Sequence, residues 1–227
     1  DELRPQMSAV ALDVSAEGIT FVGTNGKMLY KYEWTHGMPF LTEGQPSIVL
    51  FPRTVINAMD APFSKVEEIS VRSDGRQVEV TAGDVSFSIR SVEGRYPNYN
   101  SVIPKDNPYH VTLPVKDLMN TIRRVSMVAS DNSKLIALRR TDLFLQMTAD
   151  DVDFSRSAHE ELSMDDCTLP EGFAIGLNYP CLLTLLSAIS TEKVRIELSA
   201  PERPLILKED ANNSTLLELL MPMALNT

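Results

Sequence analysis

Glu93-Gly-Arg-Tyr-Pro-Asn-Tyr-Asn-Ser-Val-Ile-Pro-Lys-Asp-Asn-Pro-Tyr-His-Val111 is the stretch on which the rest of the chain is organised. Pro97, Pro104 and Pro108, with Asn98, Asn100, Asp106 and Asn107 between them, forbid a long helix or an unbroken central strand. Tyr96, Tyr99, Val102, Ile103 and Tyr109 are interspersed, and a solvated linker does not carry so many large apolar groups. The segment, running on to about Val115, therefore reads as an ordered strap, and the sequence on its two sides should form two bodies.

Upstream, residues 7–34 alternate. Val10, Leu12 and Val14 mark one strand and Ile19 and Phe21 a second. After the Thr24-Asn-Gly turn, Met28-Leu-Tyr-Lys-Tyr-Glu-Trp34 gives a third. Period-two patterning around turn residues predicts antiparallel hairpins. Beyond a Gly/Pro-containing loop that includes His36, Ile48-Val-Leu-Phe51 reads as a short buried strand. Pro52 then opens a helix over residues 53–60, with Val55, Ile56 and Met59 at helical spacing. Strands over residues 66–72, 78–82 and 85–92 follow, separated by Asp74-Gly75 and Gly83-Asp84.

Downstream, residues 116–129 read as a helix whose apolar stripe is Leu118, Ile122, Val125 and Ala129. Strands are expected over residues 135–138, 143–147 and 152–162. The strand Phe173-Ala-Ile-Gly176 then leads to Asn178, an N-cap, and Tyr179-Pro180 opens a helix over residues 181–189. Strands over residues 194–198, 205–208 and 216–223 close the chain. Laid side by side, the halves repeat at about 125 residues, a domain-sized period. In that alignment Ser64-Lys-Val-Glu-Glu-Ile69 answers Glu192-Lys-Val-Arg-Ile-Glu197, and Gly23-Thr-Asn-Gly26 answers Thr148-Ala-Asp-Asp151. The helix over residues 116–129 has no counterpart in the first half, so the chain is expected to lack its beginning.

Composition narrows the function classes. The chain has 227 residues, 43% hydrophobic and 23% charged, which is globular. It has no apolar run of membrane-spanning length and no signal-peptide pattern. Cys167 and Cys181 read as free thiols, and His36, His110 and His159 lack the spacing of a metal site. No cofactor is expected. The carboxylate pairs Asp150-Asp151, Glu160-Glu161 and Asp165-Asp166 alternate across strand faces without a convergent partner, which argues against catalysis. Net charge is −10, so binding to nucleic acid would require its cations to be gathered on one surface.

Three motifs carry a family resemblance. Thr24-Asn-Gly-Lys-Met-Leu29, the connector Gly94-Arg-Tyr-Pro-Asn-Tyr99, and the ending Met221-Pro-Met-Ala-Leu225 resemble the corresponding turn, connector and C-terminus of the bacterial DNA polymerase III beta subunits, the replicative sliding clamps. Departures fall at Asn25, Lys27, Met28, Asn100, Ser101 and Ala224. The resemblance covers essentially the whole chain. It implies an α+β fold of tandem clamp domains, each with antiparallel sheets outside and two helices lining a central hole. Residues 1–104 would be the second clamp domain without its first strand and helix, residues 105–227 the third, and the first would be absent.

The function so implied is that of a processivity factor, a non-catalytic accessory subunit of a DNA-directed DNA polymerase. It would be a head-to-tail homodimeric ring, cytoplasmic and nucleoid-associated, sliding on double-stranded DNA without sequence preference. Polymerases, repair proteins and a clamp loader would dock short linear motifs into a groove. Carried over by motif, the groove residues are Met7, Thr24, Gly26, Lys27, Met28, Leu29, Pro97, Val102, Asn178, Cys181, Met221, Pro222, Met223 and Leu225; flexible methionines suit varied partners. The basic positions expected at the hole are Arg4, Arg53, Lys116, Arg123 and Arg124. The helix over residues 116–129 supports this reading on its own terms, because its outward face presents Asn120, Arg124 and Met127, with Arg123 on the flank and no acid after Asp117. An ordinary solvated face, with arginines favoured by the helix dipole, is an equal reading of that helix. A DNA-free β-rich interaction scaffold derived from the same fold is the alternative function.

Overall fold

A computed structural model of the chain describes residues 4–15, 18–34, 48–211 and 215–225. The loop expected over residues 35–47, His36 with it, lies outside the described residues. The chain divides into two compact units, Asp1–Tyr99 and Asn100–Thr227.

In the first unit, β1 (Ala9–Ser15), β2 (Gly18–Thr24), β3 (Met28–Trp34) and β4 (Ile48–Pro52) pair antiparallel in the order β3-β2-β1-β4. Helix α1 (Arg53–Phe63) follows. A three-stranded antiparallel sheet, β5 (Ser70–Ser73), β6 (Gln77–Ala82) and β7 (Val85–Arg90), completes the unit. Its core joins Leu12, Val49 and Phe51 to Val78, Val80 and Ile89, with Val55, Ile56, Met59 and Phe63 of α1 packed against them. Phe63 meets Phe87 edge-on at 5.4 Å. The helix runs past its expected end at Asp60 and takes in Pro62. That proline forfeits one bond, to the carbonyl of residue 58, at an exposed end where water replaces it. β5 begins at Ser70 rather than Val66, because a backbone bond from Val66 N–H to Phe63 O, 3.2 Å, turns the chain first.

β1 is covered on both faces. Leu12 points into the core, while Ala9 and Ala11 are buried on the opposite side. The strap explains the small residues. Tyr99 donates its hydroxyl to Asp13 Oδ2 at 2.8 Å, on that same face of β1, and Tyr96 donates to Val22 O at 3.1 Å. Val22 stands opposite Ala11 in the ladder. Both tyrosines are buried, and burial pushes the Tyr96 phenol up to about 12, so it remains a neutral donor. The expected ordering of this segment is thus realised by two hydroxyls that find acceptors.

The second unit opens with β8 (Tyr109–Pro114) and α2 (Val115–Val125). β9 (Leu135–Arg140), β10 (Leu145–Asp151), β11 (Arg156–Leu162), the two-residue β12 (Asp166–Cys167) and β13 (Ala174–Asn178) follow. α3 (Tyr179–Leu186), β14 (Lys193–Leu198), β15 (Leu205–Glu209) and β16 (Leu216–Leu220) end it. One sheet runs β11-β10-β9-β13, the other β12-β8-β14-β15-β16, all antiparallel. Three expectations are corrected. Residues 109–114, read as the tail of the strap, form a full strand, since Pro108 stops the irregular run and Val111, Thr112 and Leu113 behind it are buried. Residues 152–155, read as strand, form a turn in which Asp151 Oδ1 accepts the N–H groups of Asp153 and Phe154. Likewise residues 143–144 belong to the β9–β10 turn, closed by Thr141 N–H on Phe144 O at 2.9 Å.

The internal repeat is topological as well as sequential. Ala9 and Leu135, Ile48 and Ala174, and Arg53 and Tyr179, each the first residue of equivalent elements, are 126 residues apart. β3-β2-β1-β4 and β11-β10-β9-β13 have the same connectivity, and in each unit a helix and three strands follow. The turn equivalent to residues 25–27 is 152–155; Thr148 to Asp151 lie on β10 itself, so the sequence pairing there slips by one or two residues. β8, α2 and β12 have no counterpart among the described elements of the first unit.

Candidate functional site

The residues singled out by sequence fall into two sets. The first centres on the outward side of α2. Val115, Leu118, Thr121, Ile122 and Val125 are buried, which leaves Lys116, Asp117, Asn120, Arg123 and Arg124 exposed. Lys116, Asn120 and Arg123 follow one another at helical spacing. Arg123 donates to Asn120 Oδ1 at 3.3 Å. Met127, in the 3-10 turn Ser126–Val128 that tightens the end of the helix, is 81% exposed. The helix is shorter than expected, and Ala129 falls outside it.

Arg124 behaves differently from its neighbour. Its Nε and Nη2 donate to Glu160 Oε1 and Oε2 of β11 at 2.7 and 2.6 Å, and Nη2 also reaches Thr121 Oγ1 at 3.2 Å. This is a two-point guanidinium–carboxylate pair. The hydrogen bond with Arg124 holds the Glu160 carboxyl below its ordinary range, and the same bond raises the guanidinium. Of the two expected arginines, one is thus committed to an internal acid. Sequence gave no sign of it, because the partner is 36 positions away. Arg53 is the exposed first residue of α1, and Arg4 is exposed just ahead of the 3-10 turn Pro5–Ser8.

Several other cations of the second unit are matched by acids. On the face of β14 and β15 opposite the core, Lys193 pairs with Asp165 at 2.7 Å and Lys208 with Glu197 at 2.9 Å, while Arg195 lies 3.5 Å from both Asp166 and Glu197. His110 Nε2 meets Asp166 Oδ2 at 2.8 Å. On this sheet face, then, part of the chain's acids are taken up in ion pairs.

The second set is the residues carried over as a peptide groove, and each unit holds a group of them. In the first unit they build one turn. Thr24 Oγ1 donates to Met28 O at 2.8 Å and accepts Gly26 N–H at 3.2 Å. Asn25 Oδ1 accepts the N–H groups of Lys27 and Met28 at 2.9 and 3.0 Å. Gly26 has φ +84°, a conformation that costs a side-chain-bearing residue strain, and a Cβ there would sit 3.9 Å from Met7 Cε. Met7 therefore lies over the turn, while Leu29 is buried beneath it and Pro97 is exposed on the strap.

In the second unit the tail lies along β13. Met223 N–H donates to Gly176 O at 2.8 Å, and a Cβ on Gly176 would come within 2.5 Å of Met223 O and 2.9 Å of Leu225 Cδ2. Two residues on, Asn178 Oδ1 accepts Cys181 N–H at 3.2 Å and caps α3, as its sequence position predicts. Cys181 is half-buried, and neither it nor Cys167 is in a disulfide. Met221 and Val102 are exposed, with Pro222 and Met223 half-buried. The strand expected over residues 216–223 ends at Leu220, because Pro222 has no N–H to give the ladder. Gly176 was the residue sequence reasoning missed. A glycine inside a strand pattern is the signal for such a close approach.

Among the described residues no group of three His, Cys, Asp or Glu is placed to hold a metal ion, and no helix is long and apolar enough to cross a membrane.

Paired antiparallel sheets, helices on the core side and an internal repeat of this topology define the sliding-clamp fold. Solved structures bear this out. The DNA polymerase III subunit beta of Pseudomonas aeruginosa superposes with a TM-score of 0.90 at 22% identity, over 98% of this chain and 59% of that one. The beta subunit of Streptococcus pyogenes gives 0.89 at 20%, over 99% and 60%. Among curated relatives, the beta sliding clamp of Pseudomonas putida is 24% identical over 226 residues, 99% of this chain and 59% of its own length. That of Synechococcus elongatus is 26% identical over 213 residues, 91% and 55%. The family model of the DNA polymerase III beta subunit, C-terminal domain, matches residues 100–224. The chain belongs to the DNA polymerase III beta subunit family, and it spans a little under three fifths of the length of these relatives.

Proposed function

We propose that this protein is a sliding clamp, a non-catalytic processivity subunit that encircles duplex DNA as a head-to-tail homodimer. The two units would be the second and third clamp domains, and the protein would work in the cytoplasm on the nucleoid. The observation that carries this reading is the outward stripe of α2, where Lys116, Asn120 and Arg123 stand without an acid after Asp117 in a chain of net charge −10. Contacts of this kind are weak and independent of sequence, which suits a protein retained by topology rather than affinity. Arg4 and Arg53 of the first unit would be further contacts to DNA. The Thr24–Met28 turn with Met7 and Pro97, and the tail Met221 to Leu225 with Asn178, Cys181 and Val102, would receive short peptide motifs of polymerases and the clamp loader.

Retention on circular duplex DNA, lost when the circle is cut, is the expected outcome in a gel-filtration assay; equal elution from circular and linear DNA overturns the proposal. Arg123→Glu should reduce retention while leaving the melting temperature nearly unchanged, because the side chain is exposed and, among the described residues, bonded only to an amide of its own helix. Unaltered retention would remove Arg123 from the DNA surface. A second reading, a DNA-free interaction scaffold, is favoured by the Arg124–Glu160 pair, which takes one cation of α2 out of play. It predicts peptide binding without any retention on circles.

A further inference from the structure

Glu218 lies on a sheet face made largely of leucine. β15 and β16 pair with Leu207 opposite Glu218 and Leu205 opposite Leu220, so Glu218 shares the inward face with Leu205, Leu207, Leu216 and Leu220, all buried. It is 0% exposed, and among the described residues neither carboxyl oxygen has a hydrogen-bond partner. A carboxylate held this way would pay the desolvation cost of a charge with nothing to offset it.

Among the described residues of the second unit, the elements packed against it offer no cation. α3, which packs on β16, carries no charged side chain; its titratable groups are Tyr179 and Cys181. From β15, Glu209 shares the face of Glu218, its Oε1 accepting from Ser190 N–H at 2.9 Å and from Ser190 Oγ–H. Lys208 is on the opposite face, paired with Glu197. Burial first, and the nearby Glu209 second, push the Glu218 carboxyl up to about 8. β16 leads directly into the tail, whose anchor is the Met223 N–H on Gly176 O.

We infer that Glu218 is a proton-dependent latch: with its proton it leaves β16 in the sheet, and loss of that proton loosens β16 together with the tail over residues 221–225. This inference goes beyond the clamp reading and does not depend on it. An opened strand returns Glu218 to water, where it ionises near its ordinary 4.5, whereas the closed strand holds the proton until about 8. Opening is therefore increasingly favoured as pH rises between those values and levels off above them. Its equilibrium constant should grow ~10-fold per pH unit inside that window, and about 50-fold from pH 6 to pH 8, where the closed-state carboxyl is itself half ionised.

Hydrogen exchange of the intact chain tests this, with labelling times scaled to the intrinsic exchange rate at each pH. Protection of residues 216–225 should fall from pH 6 to pH 8 by a factor of that order and then level off, while β9 keeps its protection throughout. In Glu218→Gln and in Glu218→Met the fall should vanish. Equal protection of β16 at both pH values, a slope that survives in whichever variant folds, or a loss shared equally by β9, would each overturn the latch.

Discussion

Gly176 shows how a single missing side chain positions the tail. A Cβ there would lie 2.5 Å from a backbone carbonyl, that of Met223, and 3.0 Å from Leu135 Cδ1. A flexible side chain could yield, but the carbonyl moves only with the chain end. Gly176→Ala should therefore cost about 1–3 kcal/mol, typical of overpacking, and abolish the exchange protection of Met223 N–H; a variant with native melting and a protected tail would refute the close approach. Asn178→Ala removes only the cap of α3 and should cost ~1 kcal/mol, read as a lower urea midpoint at unchanged slope. The two residues were unequally legible. An N-cap is a local arrangement of one side chain and the N–H three residues on, so sequence order reveals it. The Gly176 contact joins residues nearly fifty positions apart, and nothing local encodes which chain segment will arrive.

At the scale of the element, α2 was legible through its stripe of Leu118, Ile122 and Val125, because burial on one side enforces a helical period. Its end was not, since Ser126–Val128 tighten into a 3-10 turn without any breaker in the sequence. Its electrostatics were half legible: the absence of acids after Asp117 is local, but the Glu160 that answers Arg124 comes from β11. That pair sets a pH dependence opposite in sign to that of Glu218. Because Arg124 holds the folded-state Glu160 carboxyl below its unfolded range, the pair stabilises the second unit above the ordinary Glu pKa, and this contribution is lost as pH falls through the lowered value. Glu160→Gln should flatten the acid side of a melting-temperature profile over that window and change little at neutral pH. An acid limb identical to the parent would show that the pair contributes nothing, as many exposed pairs do.

For the molecule as a whole, the repeat makes a comparison that neither unit offers alone. Two bodies with the same strand order bury their helices very differently. α1 has no fully buried residue, whereas its topological equivalent α3 buries Leu182, Leu185 and Leu186, and α2 buries five more. β5 has no buried residue, and Val71 is exposed, while the equivalent β14 buries Val194, Ile196 and Leu198. Sequence revealed the repeat because hairpins, Pro-led helices and turn residues recur at a fixed interval. It did not reveal the asymmetry, since Val55, Ile56 and Met59 in α1 look as apolar as their counterparts in α3; how deeply a side chain is covered depends on what packs above it. Local stability follows coverage more closely than topology, because the amides that open last are those under the most buried apolar surface. Hydrogen exchange across the intact chain should thus rank equivalent elements apart, with α1 and β5 exchanging orders of magnitude faster than α3 and β14, and β9, β10 and β13 slowest in the second unit. Matching protection in α1 and α3 would mean that the shared topology, not the depth of burial, sets the stability of each unit.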